Sequence, residues 1–337
     1  MPETSYDLIT MGRSSIDLYA NDVGVPFADI KSFAAYVGGS PTNIAVGSRR
    51  LGLKVALLTA IGQDPIGEFI LTFLKRENID TSFIPTKPGT RSSAVVLGIE
   101  AGNKVPLVFY RGNAADIQLT INDVLETPIP KSKAFAFVGT NLSEDPSRSA
   151  TFFAAEQARN AGVIVFCDLD LRADQWRDPL AFGVAIRSIL PLVNVAFGTK
   201  EEILAAMLAD PEKLRIERSQ ISAPEVTGDL KAAIAELLRT GPEALVVKRG
   251  ATGCTVYLPE GEAIDVPGFP VEVFNVLGAG DAFASGFIYG HIKGWDWYKS
   301  ARMGNACGAI IVTRHGCANH MGYEDEVLQF IEERGGF

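Results

Sequence analysis

Two kinds of hydrophobic pattern alternate along the chain. Short, nearly continuous apolar runs bounded by turn residues occupy 7–12, 55–61, 134–138, 163–167, 192–197 and 244–248. Each has the length and composition of a buried strand. Between them lie stretches whose apolar residues recur every three or four positions, the spacing of one helix face. These predict helices over 44–51, 66–76, 148–160, 180–190 and 230–238, with a helical tail over 282–292, 298–312 and 324–334. Strand and helix in strict alternation predict an α/β fold, a mostly parallel sheet covered by helices on both faces.

Residues 90–116 break that rhythm. Runs at 93–99 and 105–111, joined by Glu100 to Lys104, read as a hairpin. With the extended stretch within 17–37 they predict a small β-sheet lid on a single domain spanning 1–337. Val95, Leu97 and Ile99 read as an exposed apolar face, and on that basis two lids are expected to pair in a homodimer. The polar stretch 210–228 reads as a surface insertion.

Composition changes the picture mainly by exclusion. The 337 residues are 47% hydrophobic and 21% charged, enough for a large core, and the net charge is −9. That charge argues against nucleic acid or an anionic membrane as partner, since both require clustered Lys and Arg. No apolar run approaches the ~20 residues of a membrane span. The opening residues lack a basic segment followed by an apolar one, so no secretory leader is expected and a cytoplasmic location is. The cysteines, Cys167, Cys254, Cys307 and Cys317, lack metal-ligand spacing and read as small packed residues.

Candidate chemistry concentrates where strands end, because ligands in open parallel sheets bind beyond the carboxyl ends of the strands. The most telling segment is Asn275-Val276-Leu277-Gly278-Ala279-Gly280-Asp281, a glycine turn leading into a helix. Unpaired amides and the positive end of the helix dipole make such a turn an anion cradle. Asp281 adds one carboxylate beside it, a pairing suited to phosphoryl transfer with Asp281 as base; a dipole-compensating Asp is the plain alternative. Gly38 and Gly39 before Asn43 let a polyhydroxylated ligand approach the backbone, unless Ser40 or Thr42 simply caps the helix. Asp17 offers a carboxylate to hydroxyls, or is a turn residue. Arg111 offers a bidentate clamp for a carboxylate, or is a solvated edge-strand arginine. Asp168 and Arg172 follow another strand. Glu201 has the chemistry to organise Mg²⁺, or favours a helix N-terminus beside Glu202. Lys248, Gly250 and Gly253 form a turn suited to the border of a nucleotide, or an ordinary β-turn.

Taken together, Gly38-Gly39-Ser40-Pro41-Thr42-Asn43 and Gly278-Ala279-Gly280-Asp281 followed by Ala282-Phe283 resemble the two signatures of the ribokinase-like (PfkB family) carbohydrate kinases, and the resemblance covers essentially the whole length. It implies a Rossmann-like body, a β lid over the sugar, ATP beside the late strands with Asn305 at its site, Mg²⁺, and Asp281 as catalytic base. Tyr110 to Asp116, Asp168-Leu169-Asp170-Leu171-Arg172 and the Asn275 variant of the turn are most similar to family members acting on sugar acids. There Arg111 would pair with the substrate's carboxylate, alongside Asp17, Gly38, Gly39, Asn43, Asp168 and Arg172. Two departures stand out. Asn275-Val276 replaces an Asp-Thr pair that helps hold a monovalent cation in relatives, and Gly198-Thr199-Lys200-Glu201 replaces Asn-x-x-Glu, leaving Glu201 to handle Mg²⁺. A nicotinamide oxidoreductase is disfavoured because the first strand leads into Gly12-Arg13-Ser14-Ser15 and no Gly-x-Gly-x-x-Gly turn. A non-catalytic sugar sensor is the remaining rival.

Overall fold

The computed structural model describes residues 5–101, 104–216 and 224–337. Fourteen strands are present among them: β1 (Tyr6–Met11), β2 (Ser15–Ala20), β3 (Phe33–Gly38), β4 (Val55–Leu58), β5 (Ser93–Leu97), β6 (Leu107–Tyr110), β7 (Ser132–Val138), β8 (Ile164–Asp168), β9 (Val195–Thr199), β10 (Leu214–Arg215), β11 (Glu225–Val226), β12 (Ala244–Lys248), β13 (Cys254–Tyr257) and β14 (Ala263–Val266).

Eight of these form the central sheet, in the order β14-β13-β12-β9-β8-β7-β1-β4. From β4 to β12 every pairing is parallel, while β13 and β14 add an antiparallel edge. The strands β1, β4, β7, β8, β9 and β12 are nearly continuous apolar runs because helices cover both faces. One face packs on the Ser40–Arg50, Ala279–Ile292 and Trp297–Ile311 helices, with Phe166, Phe197, Phe283 and Phe287 in ring contact. The opposite face packs on Ser147–Asn160, Pro179–Ile189 and Leu230–Leu238. β13 follows the 248–253 turn, and β14, with its polar Asp265 and largely uncovered face, lacks the continuous apolar run of the parallel strands.

The chain runs outward from β1 to β4, then returns to the other side of β1 with β7. That reversal leaves a crevice beyond the strand ends, the ordinary ligand position in such sheets. Asn141 closes its floor by donating to the Met11 carbonyl at 2.7 Å.

The expected lid is a separate four-stranded sheet, β3-β2-β5-β6. Its β5–β6 hairpin matches the predicted one, although Gly102 and Asn103 of the turn lie outside the described residues. The expected outward face is wrong, however. Val95, Leu97 and Ile99 are 2%, 1% and 4% exposed, packed with Tyr19, Val105 and Cys317. Period-two alternation fixes which residues share a face but not which face meets the body. The outer face instead carries the exposed Val108 and Tyr110. Of the predicted insertion, 217–223 lies outside the described residues; its flanks pair as the short ribbon β10–β11.

Candidate active site

The Ala279–Ile292 helix begins at Gly278, whose φ of 76° is the left-handed conformation that favours glycine. A Cβ there would also sit 2.9 Å from the Cys317 sulfur. The Ala279 N–H is partly engaged, donating at 3.4 Å to the Val276 carbonyl. The Gly280 and Asp281 N–H groups have no backbone partner among the described residues. The cradle is therefore centred one residue later than the glycine pattern implies. Leu277 to Asp281 line a cavity of about 950 Å³ at the strand ends, together with Asp168, Asp170, Arg172, Glu201 and Lys248.

Both sequence signatures meet at Asp281. Ser40 donates its hydroxyl to Oδ1 at 2.6 Å, and Asn43 donates its amide to Oδ2 at 2.7 Å. Ser40 is thus no helix cap: the N-cap is Gly39, at φ 103°, where a Cβ would lie 2.3 Å from the Arg13 carbonyl. Burial raises the Asp281 pKa, Asp170 raises it further, and the two hydrogen bonds and Arg172 oppose them. A carboxylate with raised basicity, aimed by two neutral donors, suits proton abstraction.

Asp17 projects from β2 over Gly38, where a Cβ would lie 1.9 Å from its Oδ2. Only glycine leaves this room. The Ser15 hydroxyl donates to Asp17 Oδ1 at 2.6 Å, and burial raises the Asp17 pKa.

Lys248 ends β12 and donates to both oxygens of Asp168, at 2.9 and 2.7 Å. Asp168, predicted to touch substrate, is committed instead to this ion pair. Burial alone would lower the Lys248 pKa, but Asp168 and Glu202 outweigh it and keep the ammonium charged. A Cβ on Gly280 would lie 3.1 Å from Lys248 Nζ. The cation therefore reaches the cradle because residue 280 has no side chain. Gly250, Gly253 and Asn305 also line the cavity; the Asn305 amide donates to the Val266 and Pro267 carbonyls. Apolar residues including Phe269, Val273, Val276 and Val312 wall the same end.

Two neighbouring acids divide their work. Glu202 caps its own helix, accepting from Thr199 N at 2.7 Å and from Leu171 N at 3.1 Å. Glu201 lines the cavity beside it. Among the described residues no three-residue cluster forms a ready-made metal cage. A cavity carboxylate such as Glu201, beside an anion cradle, fits Mg²⁺, which binds through few carboxylates, waters and phosphates.

Arg111 departs from both expectations. It is buried, and its Nε and NH2 bind Asp116 at 2.8 and 2.7 Å. Its NH1 donates to the Thr140 carbonyl at 3.1 Å and to Gln175 at 2.7 Å. A carboxylate five residues along the same loop reaches the guanidinium, a closure that spacing alone does not reveal. Arg172 lines the cavity and pairs with Asp170 at 2.9 Å. Sequence reasoning missed Ser40, Asp170 and Arg13 as site residues, though all three lie in segments placed at the cleft.

The departure at Asn275 also has a structural counterpart. Its side-chain oxygen accepts from Leu277 N at 2.9 Å, and its amide donates to the Arg314 carbonyl at 2.7 Å. The residue fixes the entry to the cradle.

Comparison with known proteins identifies the family. Residues 6–322 match the pfkB family carbohydrate kinase. A protein of Geobacillus thermodenitrificans named 5-dehydro-2-deoxygluconokinase is 35% identical over 97% of this chain and 93% of its own length. One of the same name from Clostridium tetani is 34% identical with the same coverage. Among solved structures, a fructokinase of Xylella fastidiosa with bound ATP has a TM-score of 0.83 at 25% identity, covering 97% of this chain and 99% of its own. A putative ribokinase II of E. coli in complex with ATP and Mg²⁺ has the same TM-score and coverage at 23% identity, a likeness of fold. No helix among the described residues is long and apolar enough to cross a membrane. The chain belongs to the pfkB family of carbohydrate kinases.

Proposed function

We propose that this enzyme transfers the γ-phosphoryl group of ATP to the C6 hydroxyl of 5-dehydro-2-deoxy-D-gluconate, the step named for relatives about one-third identical over nearly the whole chain. The observation that carries the reading is Asp281, held by Ser40 and Asn43 beside the free amides of the first helical turn and open to the cavity. The lid and sheet hold the sugar, with Asp17, Gly39 and Asn43 on its hydroxyls. Asn43 Oδ1, buried and without a partner, is an acceptor aimed at this region. Asp281 takes the C6 hydroxyl proton as that oxygen attacks in line. The Gly280 and Asp281 amides and the Lys248 ammonium stabilise charge on the transferring group, while Asp168 positions Lys248. Positioning and charge stabilisation supply most of what phosphoryl transfer requires. The nucleobase lies against the apolar wall near Phe269 and Val312, beside Gly250, Gly253 and Asn305. Glu201 would hold Mg²⁺, which neutralises phosphate charge when bound.

Two subsidiary readings follow. Asn275, by tying Leu277 to Arg314 with its own amide, does the bridging a monovalent cation does in relatives, so activity is independent of potassium. The outer lid face, with Val108 and Tyr110, is the surface for a homodimer.

The test is ADP release over a panel of sugar acids and neutral sugars. A kcat/KM highest for 5-dehydro-2-deoxygluconate supports the reading. Preference for 2-dehydro-3-deoxygluconate, ribose or fructose replaces it with another kinase of the family.

A further inference from the structure

A sugar acid under the lid must bring its carboxylate out of water, and an unpaired buried charge is costly. Three arginines reach this region. Arg111 has each guanidinium nitrogen engaged by Asp116, Thr140 or Gln175. Arg172 is paired with Asp170. Arg13 differs from both.

Arg13 leaves β1 at the reversal of strand order. Its backbone is clamped: the carbonyl accepts from the Thr42 hydroxyl at 3.1 Å and packs against Gly39. Its guanidinium lies 5.2 Å from the ring centre of Phe109, on the lid. Ser15 accepts from its NH1 at 2.7 Å and passes the chain of hydrogen bonds on to Asp17. The residue is 7% exposed, yet Nε is buried without a partner, and among the described residues no carboxylate forms an ion pair with it. Asp17, Asp116 and Asp170 face it only at longer range, where Arg111 adds a second positive charge. An orphaned donor on a buried cation is destabilising unless a ligand completes it.

We infer that Arg13 is the specificity-determining residue of this site, receiving the substrate's carboxylate while neighbouring Asp17 takes a hydroxyl. The assignment rests on the sugar-acid reading and transfers to Arg13 the role that the family resemblance implied for Arg111. The planar fork of Arg13, with only NH1 engaged, is matched to a two-oxygen anion. The lid strand bearing Phe109 excludes water from the contact and strengthens it.

The experiment uses the full chain as wild type, Arg13→Gln and Arg13→Lys, with saturating ATP. KM and kcat are measured for 5-dehydro-2-deoxygluconate, and a neutral hexose is measured as substrate or competitive inhibitor. In Arg13→Gln the acid's KM rises about 10- to 150-fold, the range of hydrogen bonds to charged groups. The neutral sugar's constant changes far less than the acid's, because a neutral sugar brings no carboxylate to the guanidinium. Arg13→Lys keeps the charge, loses the fork and falls between; it carries the test alone if the Gln variant does not fold. Equal losses for acid and neutral sugar would mean a structural brace and overturn the assignment, as would an unchanged KM for the acid. A wild type that phosphorylates only neutral sugars sinks the functional reading and this one with it. A wild type that prefers the acid, with a Gln variant that prefers it as strongly, sinks the Arg13 assignment alone.

Discussion

Replacing Asp281 with Asn separates chemistry from architecture at this site. The carboxylate accepts one bond from Ser40 and one from Asn43, both neutral donors able to turn. After Asp281→Asn the Ser40 hydroxyl can still donate to the remaining oxygen. The Asn43 side chain, whose Oδ1 is buried without a partner, can flip to accept from the new amide. The bond between residues 43 and 281 therefore re-forms, the Asn43 NH2 turns to the side where Oδ1 had no protein partner, and little packing is lost. What disappears is the proposed base. General-base help is worth ~10²–10⁴-fold, so kcat should fall by that factor, about 3–5 kcal/mol of transition-state stabilisation. ATP binding, measured by calorimetry, should change little.

Stability should move the other way. The Asp281 pKa is raised in the fold from 3.8, chiefly by burial and then by Asp170. The folded state therefore holds that proton more tightly than the unfolded chain. Ionisation costs stability as pH rises past 3.8, and the full cost is present above the folded-state pKa. The Asn variant escapes it, so its Tm at pH 7 should equal or exceed wild type, and the difference should shrink toward pH 3.8. A variant with kcat within about 10-fold of wild type, below the usual worth of a general base, would refute the role. A kcat loss accompanied by a lower Tm would refute the claim that this bond re-forms.

Other expectations follow from the same geometry. Lys248→Met strands the buried Asp168 carboxylate and should lower unfolding free energy by about 3–5 kcal/mol in a urea titration; adding Asp168→Asn should recover much of the stability but not the activity. Gly280→Ala places a methyl 3.1 Å from Lys248 Nζ. Since Ala favours a helix by ~1 kcal/mol over Gly, thermal stability should hold while KM for ATP rises. An unchanged KM for ATP would remove the close approach argued for position 280. Gly39→Ala forces a side chain into φ 103° and against the Arg13 carbonyl, so it should cost at least about 1–3 kcal/mol, read as a shift in the urea midpoint.

Much of this protein was fixed by order along the chain. Apolar runs in alternation with helical stripes specified the parallel sheet, because a strand buried on both faces must be apolar throughout while its covering helix must be amphipathic. Asp281 and the glycine turn were legible for a local reason: the amides, the left-handed residue and the acid lie within four positions. Gly39 and Asn43 were legible likewise. What tertiary structure decided was partnership between distant segments. Ser40 meets Asp281 across 241 residues, and Lys248 meets Asp168 across 80. Arg111 and Asp116 are near in sequence, but only the folded loop turns one onto the other and pairs the guanidinium within the protein. The same folding leaves Arg13, among the described residues, as a buried arginine with an unmatched donor. Hydrophobic periodicity reports which residues seek burial. Hydrogen-bond satisfaction depends on direction and distance between side chains, and those exist only once the sheet, the lid and the helices have packed.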